Sequence, residues 1–213
     1  MAIERENELA GQAKQAAQAT EIAQAEAAAP SSQVSQLEER ALSSEIVFEG
    51  QIFNVERLQV ELPNGKQASR DIVQHNGAVA IIALNDNGQI LLVRQYRAPL
   101  KRVMLEIPAG RLEAGEQPLQ AAKRELSEET GFDAKDLRYI QPVAIAAGYS
   151  SEIIHIILAT GLTAGMAHPD EDEFVSAEWM NIDEFCAAAL EGKIEDSKTL
   201  IAALMIKALD LAE

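Results

Sequence analysis

The sequence predicts an α+β domain, a mixed sheet with helices packed over it. Two turn signals, Asn64-Gly65 and Asp86-Asn87-Gly88, separate runs with strand character. A single long amphipathic segment runs from Pro118 to Thr130. Strands and helices do not alternate in the regular way that would mark a parallel βαβ chain.

Taken in order, residues 1–43 are a low-complexity tail, rich in Ala, Gln and Glu in its first 29 residues, with Ile3, Leu9 and Ile22 as scattered apolar positions. Those residue types favour helix, but so thin a stripe buries little surface, so the tail is expected to be mobile or partly helical. Residues 44–213 form the folded domain. Its first part, 44–75, holds a hairpin around Asn64-Gly65. Ala78–Leu84 and Gln89–Gln95 flank Asp86-Asn87-Gly88 as a second hairpin. Leu105–Pro108 is a short strand leading into the loop Ala109–Gln117. Pro118 suits a first helical turn, and Gly131 suits the stop. Leu119, Ala122, Leu126 and Thr130 share one face of that helix. Ile153–Leu158 is a strand, and Phe174–Trp179 another. Two further helices begin near 181–184 and 196–199, capped by Asn181 or Asp183 and by Asp196 or Ser197.

The chain of 213 residues has 18 Lys+Arg against 34 Asp+Glu, a formal net charge of −16. That balance excludes a phosphate-gripping surface for nucleic acid and adsorption to anionic membranes, both of which need cations in excess. No apolar run approaches the roughly 20 residues that span a bilayer. The start, Met1-Ala-Ile-Glu, lacks the order of a signal peptide, and a lone Cys186 needs no oxidising compartment. The expectation is a cytoplasmic protein.

The chemistry lies in one stretch. Gly110 is followed after five residues by Glu116, after seven more by Arg124-Glu125-Leu126, then by Glu128-Glu129 and Gly131-Phe132. On a helix Glu125 and Glu129 stand one turn apart, with Glu128 beside them. Like charges at this spacing, near a helix C-terminus, destabilise the helix by a few tenths of a kcal/mol each. A solvated acidic face has the same composition, but it leaves the bounding glycines, the arginine and the fixed loop without a reason. A divalent cation neutralising the carboxylates accounts for the cluster, since hard cations such as Mg²⁺ choose carboxylate oxygens. Arg124 would brace the loop through a carboxylate such as Glu116.

This pattern resembles the Nudix box at every defined position, and the similarity to the nucleoside-diphosphate-sugar branch of that family, which includes the ADP-ribose pyrophosphatases, extends over about residues 44–210. The resemblance implies a mixed sheet sandwiched between helices, with an N-terminal antiparallel strand region that serves dimerisation and the nucleobase pocket. It implies Mg²⁺, with Mn²⁺ as substitute, held by Glu125, Glu129, Glu128 and the Ala109 carbonyl. It places the general base in the acidic run Asp170–Phe174, Glu173 first and Glu171 beside it. Arg97 would meet the diphosphate and Arg70 the nucleobase end, and the homodimer that the resemblance implies would let Arg70 act in the neighbouring subunit's site. Arg94 is a further basic candidate, and Glu106 would pair with an arginine or the substrate ribose. The implied reaction is hydrolysis of ADP-ribose to AMP and ribose 5-phosphate. Ala147 stands where ADP-ribose pyrophosphatases carry a proline, which leaves GDP-mannose or another nucleotide sugar as the alternative. A nucleotide-sugar sensor without catalysis is the more distant one, because sensors usually have damaged boxes.

Overall fold

The structure, a computed structural model, describes residues 36–166, 174–209 and 211. By internal contacts the chain separates into two units. One holds Gln59–Ser69 with residues up to Ser43, and the other holds Ser44–Leu58 with Arg70–Glu213. In the first unit, Asn64-Gly65 makes the expected turn. The Gly65 N–H donates to the Leu62 carbonyl at 2.8 Å, and φ of +77° there is open to glycine without strain. Strands β1 (Arg40–Glu49), β2 (Asn54–Glu61) and β3 (Gln67–Gln74) form an antiparallel sheet in that order. β1 begins at Arg40, three residues ahead of the composition boundary at 43.

The second unit is built on a larger sheet ordered β10-β5-β4-β9-β8. Its strands are β4 (Ala78–Asn85), β5 (Gln89–Arg97), β8 (Phe132–Ala144), β9 (Ile153–Ala164) and β10 (Val175–Asn181). β6 (Arg102–Glu106) lies beside β5, and β7 (Ala109–Arg111) beside β4. The turn at 86–88 joins β4 to β5, but the two strands pair only at Leu84↔Ile90 and Asn85↔Gln89. On that edge β7 then takes over at Ala78–Ala80, while the other edge of β4 runs parallel with β9, from Ala78↔Ile154 to Ala83↔Ala159. The local sequence carried the turn, whereas the parallel pairing is a long-range choice that local patterning does not encode.

β4 is apolar without alternation because both its faces are covered. Val79, Ile81 and Ala83 pack on one side with Ala121, Ala122 and Leu126 of α1 (Pro118–Thr130). Ala80, Ile82 and Leu84 pack on the other with Phe185 of α2 (Ile182–Leu190) and with Ala202 and Ile206 of α3 (Ser197–Ala208). Helices therefore lie on both faces of a mixed sheet. Pro118 opens α1 and Gly131 closes it at φ +72°, its N–H donating to the Ser127 carbonyl at 2.9 Å. Of the alternative caps, Asn181 serves α2 and Asp196 serves α3. No helix among the described residues is long and apolar enough to cross a membrane.

Candidate active site

The site begins with β7, a three-residue strand held to the central β4 by the pairs Ala80↔Ala109, Val79↔Gly110 and Ala78↔Arg111. Its backbone is thereby fixed against the rigid middle of the sheet. α1 buries Ala122 and Leu126 in the core, which turns Glu125, Glu128 and Glu129 toward β7 and the cavity beside it. The Ala109 N–H donates to Glu129 Oε2 at 3.1 Å. Glu125 lies so close over Gly110 that a Cβ there would stand 1.9 Å from its Cδ. α1 has no basic residue in its last turn, so nothing there offsets the cost of the acids at the helix C-terminus.

Arg124 answers that cost from the same helix. Its Nε and Nη2 form a fork on Glu116 at 3.0 and 2.9 Å, and Nη2 also reaches the Arg111 carbonyl at 3.1 Å. Its Nη1 donates to Glu125 at 2.7 Å and to Glu128 at 3.0 Å. One guanidinium thus ties the loop to the helix and bridges two of the three clustered carboxylates. These bonds raise the Arg124 pKa further, Glu116 contributing most, and the same fork holds the Glu116 carboxyl below its ordinary value. Among the described residues no three His, Cys, Asp or Glu side chains stand close enough to hold a metal ion as placed. The donors themselves fit a hard divalent cation: carboxylates and the Ala109 backbone, all facing one cavity. Such a cation would take over from Arg124 the neutralisation of Glu125 and Glu128.

The cavity has a volume of about 710 Å³ and brings together Arg97, Ala109, Arg124, Glu125, Glu128 and Glu129. Arg97 sits at the end of β5, with Nε and Nη2 gripping both oxygens of Glu106 at 2.7 and 2.6 Å. Glu106 is only 2% exposed. Burial pushes its carboxyl up, but the Arg97 fork and the Lys198 ammonium outweigh this and hold it below the usual carboxylate range. Glu106 thus pairs with an arginine, one of its two expected partners, and is not among the residues that line the cavity. Arg94 also stays outside, committed to Glu178 through two bonds of 2.9 Å on the exposed β5–β10 surface. Arg70 is exposed on β3 and is not part of the cavity wall. Glu171 and Glu173 lie outside the described residues.

Sequence reasoning missed several wall residues. Lys198, in the first turn of α3, is 7% exposed, hydrogen-bonds Glu106, and reaches Asp196 Oδ1 at 3.0 Å. The only signal was its place in Asp196-Ser-Lys-Thr, which reads locally as a helix start. His75 also lines the cavity, its Nδ1 accepting the Gly77 N–H at 3.0 Å. Glu152 and Gln51 also line it.

The NUDIX domain model matches residues 74–204, and the model of the nucleoside diphosphate sugar hydrolase N-terminal domain matches 39–73. A Bacillus methanolicus protein named methanol dehydrogenase activator is 43% identical, over 76% of this chain and 88% of its own. An ADP-ribose pyrophosphatase of Bacillus subtilis is 41% identical over the same shares, and one of Mycobacterium tuberculosis is 39% identical over 78% and 82%. Among solved structures, an ADP compounds hydrolase superposes with a TM-score of 0.73 at 26% identity, covering 81% of this chain and 95% of that one.

Proposed function

The chain belongs to the Nudix hydrolase family, and from that premise we propose that it hydrolyses the pyrophosphate bond of a nucleoside diphosphate sugar, ADP-ribose foremost, to AMP and ribose 5-phosphate. The observation that carries this reading is a cavity lined both by Arg97 and by the acidic residues Glu125, Glu128 and Glu129 of α1. Diphosphate oxygens suit Arg97, whose planar fork is already set by Glu106. Glu125, Glu129 and Glu128, with the Ala109 carbonyl, would hold the divalent cation that the family generally needs, Mg²⁺ in this reading with Mn²⁺ as substitute. Bound there, the ion supplies charge neutralisation for the pyrophosphate and acidity for the attacking water.

The chain's own part is orientation and proton handling. Arg124 keeps the loop and the helix carboxylates in register. Glu173, with Glu171 beside it, takes the proton of the water that attacks phosphorus. The bridging P–O bond breaks, and its electron pair leaves with the departing phosphate. Arg70 contributes at the nucleobase end, acting on a second subunit's site in a homodimer. Support for the dimer comes from β1, whose Ile46, Val47 and Phe48 are exposed apolar side chains, as an interface strand would have. A cytoplasmic location accords with the free, buried Cys186.

A panel of nucleotide sugars with Mg²⁺ or Mn²⁺ in H₂¹⁸O, with products identified by mass, tests the reading. ADP-ribose should give the highest kcat/KM and yield AMP and ribose 5-phosphate, one of them carrying a single ¹⁸O. Preference for another sugar nucleotide, GDP-mannose included, would replace the substrate while keeping the reaction. Failure to cleave any of them would overturn both.

A further inference from the structure

We propose that Lys198 is a positioning residue for this reaction, acting through Glu106 and Arg97 to keep the diphosphate-facing wall from becoming anionic. The inference rests on the substrate reading above. Two cations, Arg97 and Lys198, meet two carboxylates, Glu106 and Asp196, in one connected group. Arg97 spends Nε and Nη2 on Glu106, and its Nη1 makes no hydrogen bond among the described residues. That leaves Nη1 as the donor for a phosphate oxygen. Its value to an anion depends on the carboxylate behind it being neutralised by something else. Lys198 does this, from 92 residues further along the chain. Without it, one guanidinium would face two carboxylates, and the wall would carry a net negative charge against an anionic substrate.

A merely structural role is the competing account, with Lys198 fastening α3 to the end of β6. That fastening already has its own bonds. The Ile107 N–H donates to Thr199 Oγ1 at 2.9 Å, the Thr199 hydroxyl donates to Asp196 Oδ2 at 2.6 Å, and Asp196 caps the helix through the Thr199 N–H at 2.9 Å. None of these needs an ammonium. Burying a lysine is also a poor way to stabilise a helix junction, since desolvation offsets much of the attraction.

The test uses variants that move the wall's charge in opposite directions while keeping its shape: Lys198→Met removes a cation, and Asp196→Asn removes a carboxylate but retains a good cap. Binding of α,β-methylene ADP-ribose with Mg²⁺ is measured by calorimetry, alongside KM and kcat for ADP-ribose. Lys198→Met should weaken analogue binding and raise KM by about tenfold with kcat within about threefold, the pattern of lost uniform binding. Asp196→Asn should leave affinity equal or tighter, and Lys198→Arg should stay within about threefold of wild type. Affinity falling alike in Lys198→Met and Asp196→Asn, or a lowered melting temperature with KM unchanged, would overturn the proposal. If Lys198→Met does not fold, Asp196→Asn and Lys198→Arg still decide it, and weakened binding in Asp196→Asn counts against it. Wild type that neither binds the analogue nor cleaves ADP-ribose would overturn the substrate reading and this inference together. Intact wild-type binding with an indifferent Lys198→Met would overturn the inference alone.

Discussion

The carboxylate of Glu125 occupies the space that a side chain on Gly110 would fill, its Cδ 1.9 Å from an ideal Cβ. Gly110 is not among the glycines with positive φ, so alanine suits its backbone. The clash is with the far end of a flexible side chain, which can swing aside at little cost to the fold. Gly110→Ala should therefore lose stability by no more than about 1 kcal/mol, as a melting curve would report. Displacing Glu125 by an ångström or more should lower kcat/KM on the order of 100-fold. A variant that is fully active, or one that is unfolded, contradicts the geometry.

Glu129→Gln keeps an oxygen for the Ala109 N–H but removes the charge. If Glu129 and Glu125 hold the cation, either glutamine variant should lower kcat/KM on the order of 1,000-fold while leaving the melting temperature near wild type. Metal titration should show weakened Mn²⁺ binding in the same proteins. Full turnover of Glu129→Gln in Mg²⁺ would exclude it as a ligand.

Arg97→Lys retains charge but cannot form the fork on Glu106 or offer a second planar donor. Its KM for ADP-ribose should rise about tenfold, with a smaller change in kcat. Arg70→Ala should act on KM alone. Steady-state kinetics over a range of substrate concentrations separates the two.

Acid stability should report on Glu106. Its carboxyl is held below its unfolded value of about 4.3, so on acidification the unfolded chain takes up that proton first. The stabilisation is whole above about pH 4.3 and is lost as pH falls through the folded value. Glu116, held low by Arg124, adds to the same trend. Denaturant midpoints measured from pH 7 down to pH 3 should fall more steeply for wild type than for Glu106→Gln. Parallel curves would mean that Glu106 is not the responsible group.

Local chemistry made α1 legible: Pro118, the apolar face of Ala122 and Leu126, and Gly131 each act within a turn or two of chain. The acidic cluster was legible for the same reason, because its spacing lies within one helix. What stayed hidden depends on distant partners. The sequence shows the turn after β4 but not that the far edge of β4 pairs in parallel with β9, since nothing in Ala78–Asn85 names a partner some 75 residues away. Lys198 looks like any lysine near a helix start until the fold carries it to Glu106. His75 likewise becomes a wall residue only when β4 and β9 come together. The pairing of Arg94 with Glu178, on a neighbouring strand, is likewise beyond local patterning.

The meeting of Lys198 with Glu106 also makes the charge of this wall depend on a segment 92 residues further along the chain. A chain that stops at α2 contains both members of the Arg97–Glu106 clasp and the loop that Arg124 ties down. It has neither the ammonium nor the helix cap that complete that wall. A molecule cut short before residue 198 would keep every strand up to β10 and lose the cation that stands beside the buried Glu106 carboxylate.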